Sequence, residues 1–403
     1  MTPEIKQRIE QIRRGKVPER YVKTALGLAP ANWKRYTFGD IYTERKEPGD
    51  ENLPLLMVSI HSGVSDGEVD AAELPKQVKR IEDKSQYKKA VSGDLVFNMM
   101  RAWQGAIGTV RTTGMVSPAY IVAEPNDKAY PLFMDYYSRT PQMINQIDRQ
   151  SYGVTDFRKR LYWDSFAPIS CTLPPIEEQQ KIAAILTTQD RVIELKGKRL
   201  AEKQRQKKYL MQQLLTGKKR LPGFIGKWKT FGFNEIFITI STKGHQINKA
   251  EYETKGRYPV IDQGRQMIAG YSNKAEKALM CPKEGVIVFG DHTREIKFVN
   301  FDFIVGADGT QLLSAKSKNA AIKYLFYYLS NKDIHSDGYS RHFKYVKEFT
   351  YRLPPLGEQT AIAEVLSAAD RESELLQQDI EQEKQKKKAL MHLLLTGIVR
   401  VKT

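Results

Sequence analysis

The sequence predicts a mixed α/β (α+β) protein in which two globular domains are joined by two long antiparallel helices paired as a coiled coil. Three observations carry that prediction. The first is a repeat: Leu173-Pro174-Pro175-Ile176-Glu177-Glu178-Gln179-Gln180-Lys181-Ile182-Ala183 returns 180 residues later as Leu353-Pro354-Pro355-Leu356-Gly357-Glu358-Gln359-Thr360-Ala361-Ile362-Ala363. The match runs ungapped to Leu214-Leu215-Thr216-Gly217 and Leu394-Leu395-Thr396-Gly397, and 21 of 48 positions are identical between 173–220 and 353–400. The second is that each copy reads as one long capped helix. The third is that short β-rich runs punctuated by Gly, Asp and Asn fill the segments before each copy. A period of 180 residues is far too long for stacked repeat units, so a whole domain plus its connector has been duplicated.

In chain order, residues 1–29 form an N-terminal helical extension, with a short helix over Glu4–Arg14 followed by Gly15-Lys16-Val17-Pro18. Residues 30–172 form the first globular domain, and Trp33-Lys34-Arg35-Tyr36-Thr37-Phe38-Gly39-Asp40-Ile41 opens it. Residues 173–217 form the central helix. Pro174-Pro175 suits the first turn, where a missing N–H costs nothing, and Gly217 suits a left-handed C-terminal cap. Residues 218–352 form the second domain, opened by Trp228-Lys229-Thr230-Phe231-Gly232-Phe233-Asn234-Glu235-Ile236, a relative of the Trp33 segment at an offset of 195. Ser92-Gly93-Asp94-Leu95-Val96-Phe97 and Lys283-Glu284-Gly285-Val286-Ile287-Val288-Phe289 read as equivalent turn-then-strand elements, and Tyr130–Thr140 and Ala320–Asn331 as one helix in each domain. Residues 353–403 form the second long helix, capped by Gly397, which gives the plan a pseudo-two-fold character.

Roughly 40 residues at 1.5 Å each make helices about 60 Å long, beyond the ordinary globular range. Ile182, Leu186, Ile193, Leu200, Leu210 and Leu214 fall near a 3.5-residue spacing, as do Ile362, Leu366, Ala369, Leu376, Ile380, Leu390 and Leu394. The middles are polar, interrupted by Lys196, Lys203 and Lys207 in one helix and by Glu383 and Lys387 in the other. Residues 175–217 carry nine basic and five acidic side chains, and 355–397 carry five and eight. An antiparallel pairing of these charges places Glu372 and Glu374 opposite Lys196 and Lys198.

The net charge of +17 favours a polyanionic partner, most simply nucleic acid. Its distribution is uneven: residues 30–172 balance at 18 basic and 18 acidic, residues 218–352 carry 23 against 13, and residues 1–29 add +4. No apolar run approaches the ~20 residues that span a bilayer. The first residues lack an apolar signal core, so a cytoplasmic protein without membrane association is expected. Cys171 and Cys281 match no metal or redox spacing and read as free thiols.

The Leu-Pro-Pro-x-x-Glu-Gln-x-x-Ile-Ala start, the Leu-Leu-Thr-Gly end and the Trp33 and Trp228 segments together resemble type I restriction-modification specificity subunits, over essentially the whole chain. Asn98-Met99-Met100-Arg101-Ala102-Trp103-Gln104-Gly105 and Ser117-Pro118-Ala119-Tyr120 look like one class of recognition domain in that family. Gly290-Asp291-His292-Thr293-Arg294, Gly306-Ala307-Asp308-Gly309-Thr310 and Arg341-His342-Phe343 look like another. The resemblance implies two target recognition domains, each reading half of an asymmetric, interrupted site in double-stranded DNA. The long helices then act as a ruler and as a dock for two methyltransferase subunits, with restriction (motor-nuclease) subunits added in the full complex. It implies no chemistry on this chain: S-adenosylmethionine, ATP and Mg²⁺ belong to the partner subunits, and no cofactor or metal is expected here. The Glu4–Arg14 helix is expected to mimic the tail of a connector helix at the first domain.

Phosphate contacts position a protein on DNA, and base edges in the major groove carry sequence; Arg forks onto guanine, Gln or Asn onto adenine. Residues of these types in Gly-rich loops are the candidate readers. In the first domain they are Ser59, His61, Ser62, Arg101, Trp103, Gln104, Tyr152 and Arg158. In the second they are Gln263, Arg265, His292, Thr293, Arg294, Arg341, His342 and Lys344. A Trp set between Ala and Gln serves a core or lid as readily as a base, and single loop arginines are often merely solvated.

Rival readings remain. An adenine methyltransferase needs Asn/Asp-Pro-Pro-aromatic, yet both Pro-Pro pairs here follow Leu, and no Gly-x-Gly or Walker loop is present. A nuclease reading rests on Asp291 with Glu295-Ile296-Lys297, which has no counterpart in the first domain. A coiled-coil assembly protein that binds no DNA fits the neutral first domain but not the basic second. A specificity subunit serving a methyltransferase-only or fused-type system fits as well as one serving a full restriction complex.

Overall fold

The computed structural model describes all residues except 1–2, 25–26, 51, 66–85, 154, 156–157, 317–319, 337, 339 and 402–403. The chain divides into two compact units: Met1–Leu195 with Ile380–Thr403, and Lys196–Asp379. The repeat boundaries and the packing boundaries therefore differ. Each unit takes the head of one long helix and the tail of the other.

The long helices span Ile176–Leu214 and Leu356–Leu395, 39 and 40 residues. Pro175 and Pro355 each present the carbonyl that accepts the first turn's N–H groups, and Gly217 and Gly397 end the helices at φ +74° and +71°. In the first unit Ile182, Ala183 and Leu186 from one helix and Leu394 and Leu395 from the other enter a single core. In the second unit Ile362, Ala363 and Leu366 meet Leu214 and Leu215 in the same way. Duplicated apolar ends thus seal two separate cores.

The motif's polar residues fasten these junctions identically. Gln179 is buried; its amide donates to the carbonyls of Pro174 and Lys128 and accepts from the N–H of Tyr130. Gln359 does the same with Pro354 and Ala321. Glu178, fully buried, receives both arms of Arg400 at 2.7 Å, and Glu358 receives Arg220 at 2.9 and 2.5 Å. Tyr136 donates to Asp190 at 2.7 Å with Lys387 over its ring; Tyr327 donates to Asp370 at 2.7 Å with Lys207 over its ring.

Within each unit the helix pairing is antiparallel, in a register different from the one the charges alone suggest. Lys196 pairs with Asp379 and Lys203 with Glu372, each at 2.9 Å. Asp379, five residues beyond Glu374, therefore takes the place opposite Lys196. Half-exposed ion pairs contribute only about 0.2–1 kcal/mol each, too little to fix a register. The buried ends decide the register instead.

Each unit is built on a four-stranded antiparallel sheet of one order. In the first it runs Tyr42–Arg45, Tyr120–Pro125, Leu95–Asn98, Ile107–Thr109; in the second Phe237–Ile240, Thr310–Ala315, Val286–Gly290, Ile296–Val299. Both turn-then-strand readings fall on the third strand of this order, Leu95–Asn98 and Val286–Gly290. The second unit adds a further four-stranded sheet containing two parallel pairings, Gln246–Ile247 and Tyr258–Ile261 each against Ile304–Gly306. The helix expected over 130–140 is Pro131–Tyr137 followed by Pro141–Gln150, because Thr140 caps a new helix and Pro141 cannot extend the old one. In the second unit one helix, Ile322–Ser330, fills the equivalent place.

The N-terminal helix runs Pro3–Arg13, buries no residue and ends at Gly15. It does not fill the seat of a connector tail. At the first unit that seat holds the C-terminal helix itself, whose Gly397 lies so close to Trp33 and Pro30 that a side chain would collide with them. The N-terminal segment instead caps that tail: Arg8 donates to the Ile398 carbonyl at 2.9 Å and Tyr21 to that of Gly397 at 2.6 Å.

Candidate nucleic-acid interface

In both units the loop joining the third and fourth strands of the sheet order carries three of the residues singled out from sequence: Arg101, Trp103 and Gln104 in the first, His292, Thr293 and Arg294 in the second. In the first unit it spans residues 99–106. Ala102, fully buried, anchors a short 3-10 turn over Ala102–Gln104, and Gly105 closes it at φ +102°. A buried centre leaves Arg101 and Gln104 exposed on either side. Trp103 is half-buried: its indole N–H donates to the Met100 carbonyl at 3.0 Å, and Lys159 lies 5.1 Å from its ring centre. Trp103 therefore contributes a face and a cation mount, its one donor being already used.

A second loop braces this one. Tyr152 and Arg160 exchange backbone hydrogen bonds at 3.1 and 2.9 Å, and the Leu161 N–H reaches the Met99 carbonyl at 2.8 Å. That pairing sets Tyr152, 58% exposed, against Tyr162, 40% exposed, with ring centres 5.7 Å apart. Arg158 is exposed between them in sequence. The hairpin Val58–Ser59/Gly63–Val64 carries Ser59, His61 and Ser62 at its turn, with His61 and Ser62 exposed. It adjoins the main loop, since a side chain on Gly105 would sit 3.5 Å from the Ile60 carbonyl. The structure thus sets the 59–62 turn and Tyr152 beside the loop that carries Arg101, Trp103 and Gln104, while Arg158 lies on the exposed segment between Tyr152 and Arg160.

The second unit is built differently. Gln263 is the bracket: its side-chain oxygen accepts from the His292 N–H at 3.2 Å and its carbonyl from the Thr293 hydroxyl at 2.5 Å. Gly309, at φ +72°, leaves room for both; a side chain there would meet His292 and Gln263 at 2.8–3.0 Å. The His292 ring lies 3.3 Å from the Ser340 carbonyl, which brings the 340–344 loop alongside. Arg265 is almost fully exposed, 3.9 Å from Glu295, and Arg341 and Lys344 are exposed too.

Two candidates sit otherwise. His342 is 1% exposed, with its backbone N–H and Nδ1 both at the Asp291 carbonyl, so it holds the loop from within and presents nothing to a groove. Arg294, at φ +63°, donates to the Ile334 carbonyl at 2.9 Å, which staples the loop to the segment after helix Ile322–Ser330. Asp291, invoked for a nuclease, is 3% exposed and accepts from the Phe343 N–H. Lys297 donates to the carbonyls of Asp262 and Gln266. Among the described residues no group of three or more His, Cys, Asp or Glu is placed to hold a metal ion, and no helix is long and apolar enough to cross a membrane.

Sequence reading missed Tyr162, Lys159 and Asp291's bracing role. No spacing links Tyr152 to Tyr162; a backbone bridge sets their approach. Asp291 was visible only as a carboxylate; the fold buries it and gives it the Phe343 N–H.

Comparison with known proteins adds the family. The model for the type I restriction modification DNA specificity domain matches twice, over residues 72–203 and 225–385. The putative type I restriction enzyme MjaX specificity subunit of Methanocaldococcus jannaschii is 25% identical, across 96% of this chain and 98% of its own. The MjaVIII specificity subunit of that organism is 23% identical, over 79% of this chain and 83% of its own. In fold, the type I restriction-modification S subunit from M. genitalium superposes with a TM-score of 0.61 at 13% identity, covering 92% of this chain and 97% of its own. Two matched segments that together span most of the chain, each lying mainly on one of the two sheet-based units, place it: this protein belongs to the type I restriction-modification specificity subunit family.

Proposed function

We propose that this chain reads DNA for a type I restriction-modification complex and does no chemistry itself. Each unit reads one half of a bipartite, asymmetric site. The long helices fix the distance between half-sites and dock two methyltransferase subunits, to which restriction subunits add in the full complex. S-adenosylmethionine, ATP and Mg²⁺ would act on those partners.

One observation carries the reading. The same sheet order presents a loop at the same place in both units, and the two loops differ in length and sequence while the helix junctions repeat. Selection for two different sequences on one geometry leaves that pattern. The net +10 of residues 218–352 supplies the sequence-independent attraction to phosphate. Base reading falls to Arg101, Gln104, Tyr152 and Arg158 with the Ser59, His61 and Ser62 turn in one unit, and to Gln263, Arg265, His292, Thr293, Arg341 and Lys344 in the other.

Sequencing the methylated bases of the host genome with and without this chain tests the proposal. A bipartite N6-methyladenine motif should disappear with the chain; a methylation pattern unchanged by its loss would overturn the reading. A gel shift whose affinity does not fall with salt would count against phosphate contact.

A further inference from the structure

The two units carry the same cleft, and only one of them is covered by the chain itself. In the first unit Trp33, Tyr137, Thr172 and Thr396 line a cavity of about 40 Å³. Its remaining wall includes Thr24, Leu28 and Ala29, from the hairpin Tyr21–Thr24/Gly27–Pro30. In the second unit Trp228, Tyr328, Arg352 and Thr216 line a cleft of about 280 Å³. The correspondence is position by position. Residues 172 and 352, and 396 and 216, match in the repeat, and the Tyr137 and Tyr328 hydroxyls accept the N–H of residues 172 and 352 at 3.0 and 3.4 Å.

Nothing like the hairpin lines the second cleft among the described residues. Trp33 is accordingly 7% exposed, while Trp228 is only half-buried. The Trp33 N–H donates to Glu178 at 3.3 Å; the Trp228 N–H has no acceptor among the described residues. A buried donor left unmatched marks an incomplete junction. Ile225, three residues before Trp228, is 92% exposed.

The second cleft also differs in charge. Arg352 replaces Thr172 and lies 5.7 Å from the Trp228 ring centre; Lys332 lies 4.9 Å from that of Tyr328. Both cations are exposed, and neither has a carboxylate partner among the described residues. Cations held on aromatic faces become strong sites for an anion once a partner excludes water.

We propose that this cleft seats a segment of the methyltransferase partner that carries small apolar side chains flanked by carboxylates. The proposal rests on the functional reading above. The first unit shows the shape of such an occupant, since Leu28 and Ala29 fill that role there. Charge chooses between a partner and a second copy of this chain. The chain's own hairpin brings Arg20 and Lys23 against Glu19, the wrong sign for Arg352 and Lys332.

The test uses the full chain mixed with the methyltransferase subunit of the same system, with bound subunits counted by native mass spectrometry across a titration. The double variant Lys332→Glu/Arg352→Glu alters only exposed side chains, and a thermal melt by circular dichroism matching the wild type serves as the check on folding. One of the two methyltransferase binding steps should weaken at least about tenfold while the other holds. Two unchanged steps in a folded variant would overturn the proposal. A self-dimer of the wild-type chain that the variant abolishes would overturn it in favour of a second copy. A wild-type chain that captures no methyltransferase would sink the functional reading, and this proposal with it.

Discussion

Replacing Arg400 tests whether the repeated Glu-Gln motif holds each unit to a borrowed helix tail. Arg400 gives both arms to Glu178 at 2.7 Å, and Glu178 is inaccessible to solvent. Once the guanidinium is gone, the only side-chain donor left to that carboxylate among the described residues is the Trp33 N–H at 3.3 Å. Removing one partner of a buried pair costs ~3–5 kcal/mol, and the 32% exposure of Arg400 puts this pair at the low end, about 3 kcal/mol. Set against a domain stability of ~5–15 kcal/mol, that loss is large. The assay is urea unfolding of Arg400→Met, Glu178→Leu and the double variant, with hydrogen exchange read at residues 182–186 and 390–395. The double variant should cost less than the sum of the singles by about 2 kcal/mol, because an apolar pair leaves no stranded charge. Exchange should rise in the first core. An Arg400→Met cost below about 0.5 kcal/mol, or a coupling near zero, would refute the reasoning.

Three further outcomes follow from the same geometry. Removing residues 380–403 should unfold the first unit, since it strips Leu394 and Leu395 from that core along with Arg400; at ~2 kcal/mol per buried leucine plus the pair, the loss of about 7 kcal/mol matches a domain's whole stability, and limited proteolysis reads it. Cys171 is buried and its thiol is pushed up to about 12, first by burial and then by Asp40. It should resist alkylation at pH 8 while the partly exposed Cys281 reacts, as peptide mass spectrometry would show. Because that pKa is raised in the folded state, its contribution to stability is present at neutral pH and is lost as pH climbs from the ordinary thiol range toward 12. Arg101→Ala and Arg341→Ala should each cost ~1–3 kcal/mol of discrimination at one half-site, whereas His342→Ala should lower the melting temperature of the second unit first; binding assays on variant sites paired with thermal melts separate the two.

The sequence by itself determined the duplication and both long helices with their Pro and Gly ends. It also located the loops that carry the polar candidates. Each of these is written locally, in a periodicity, a cap or a repeat offset. Only the tertiary structure decided how the halves are shared. Exposed charges are weak, so they left the register open; burying Glu178 and Glu358 against arginines from the opposite repeat closed it. Burial also separated His342 and Asp291, which brace a loop, from Arg341 and Arg265, which are exposed. A side chain's type is visible in the chain, but whether it faces water depends on what folds over it.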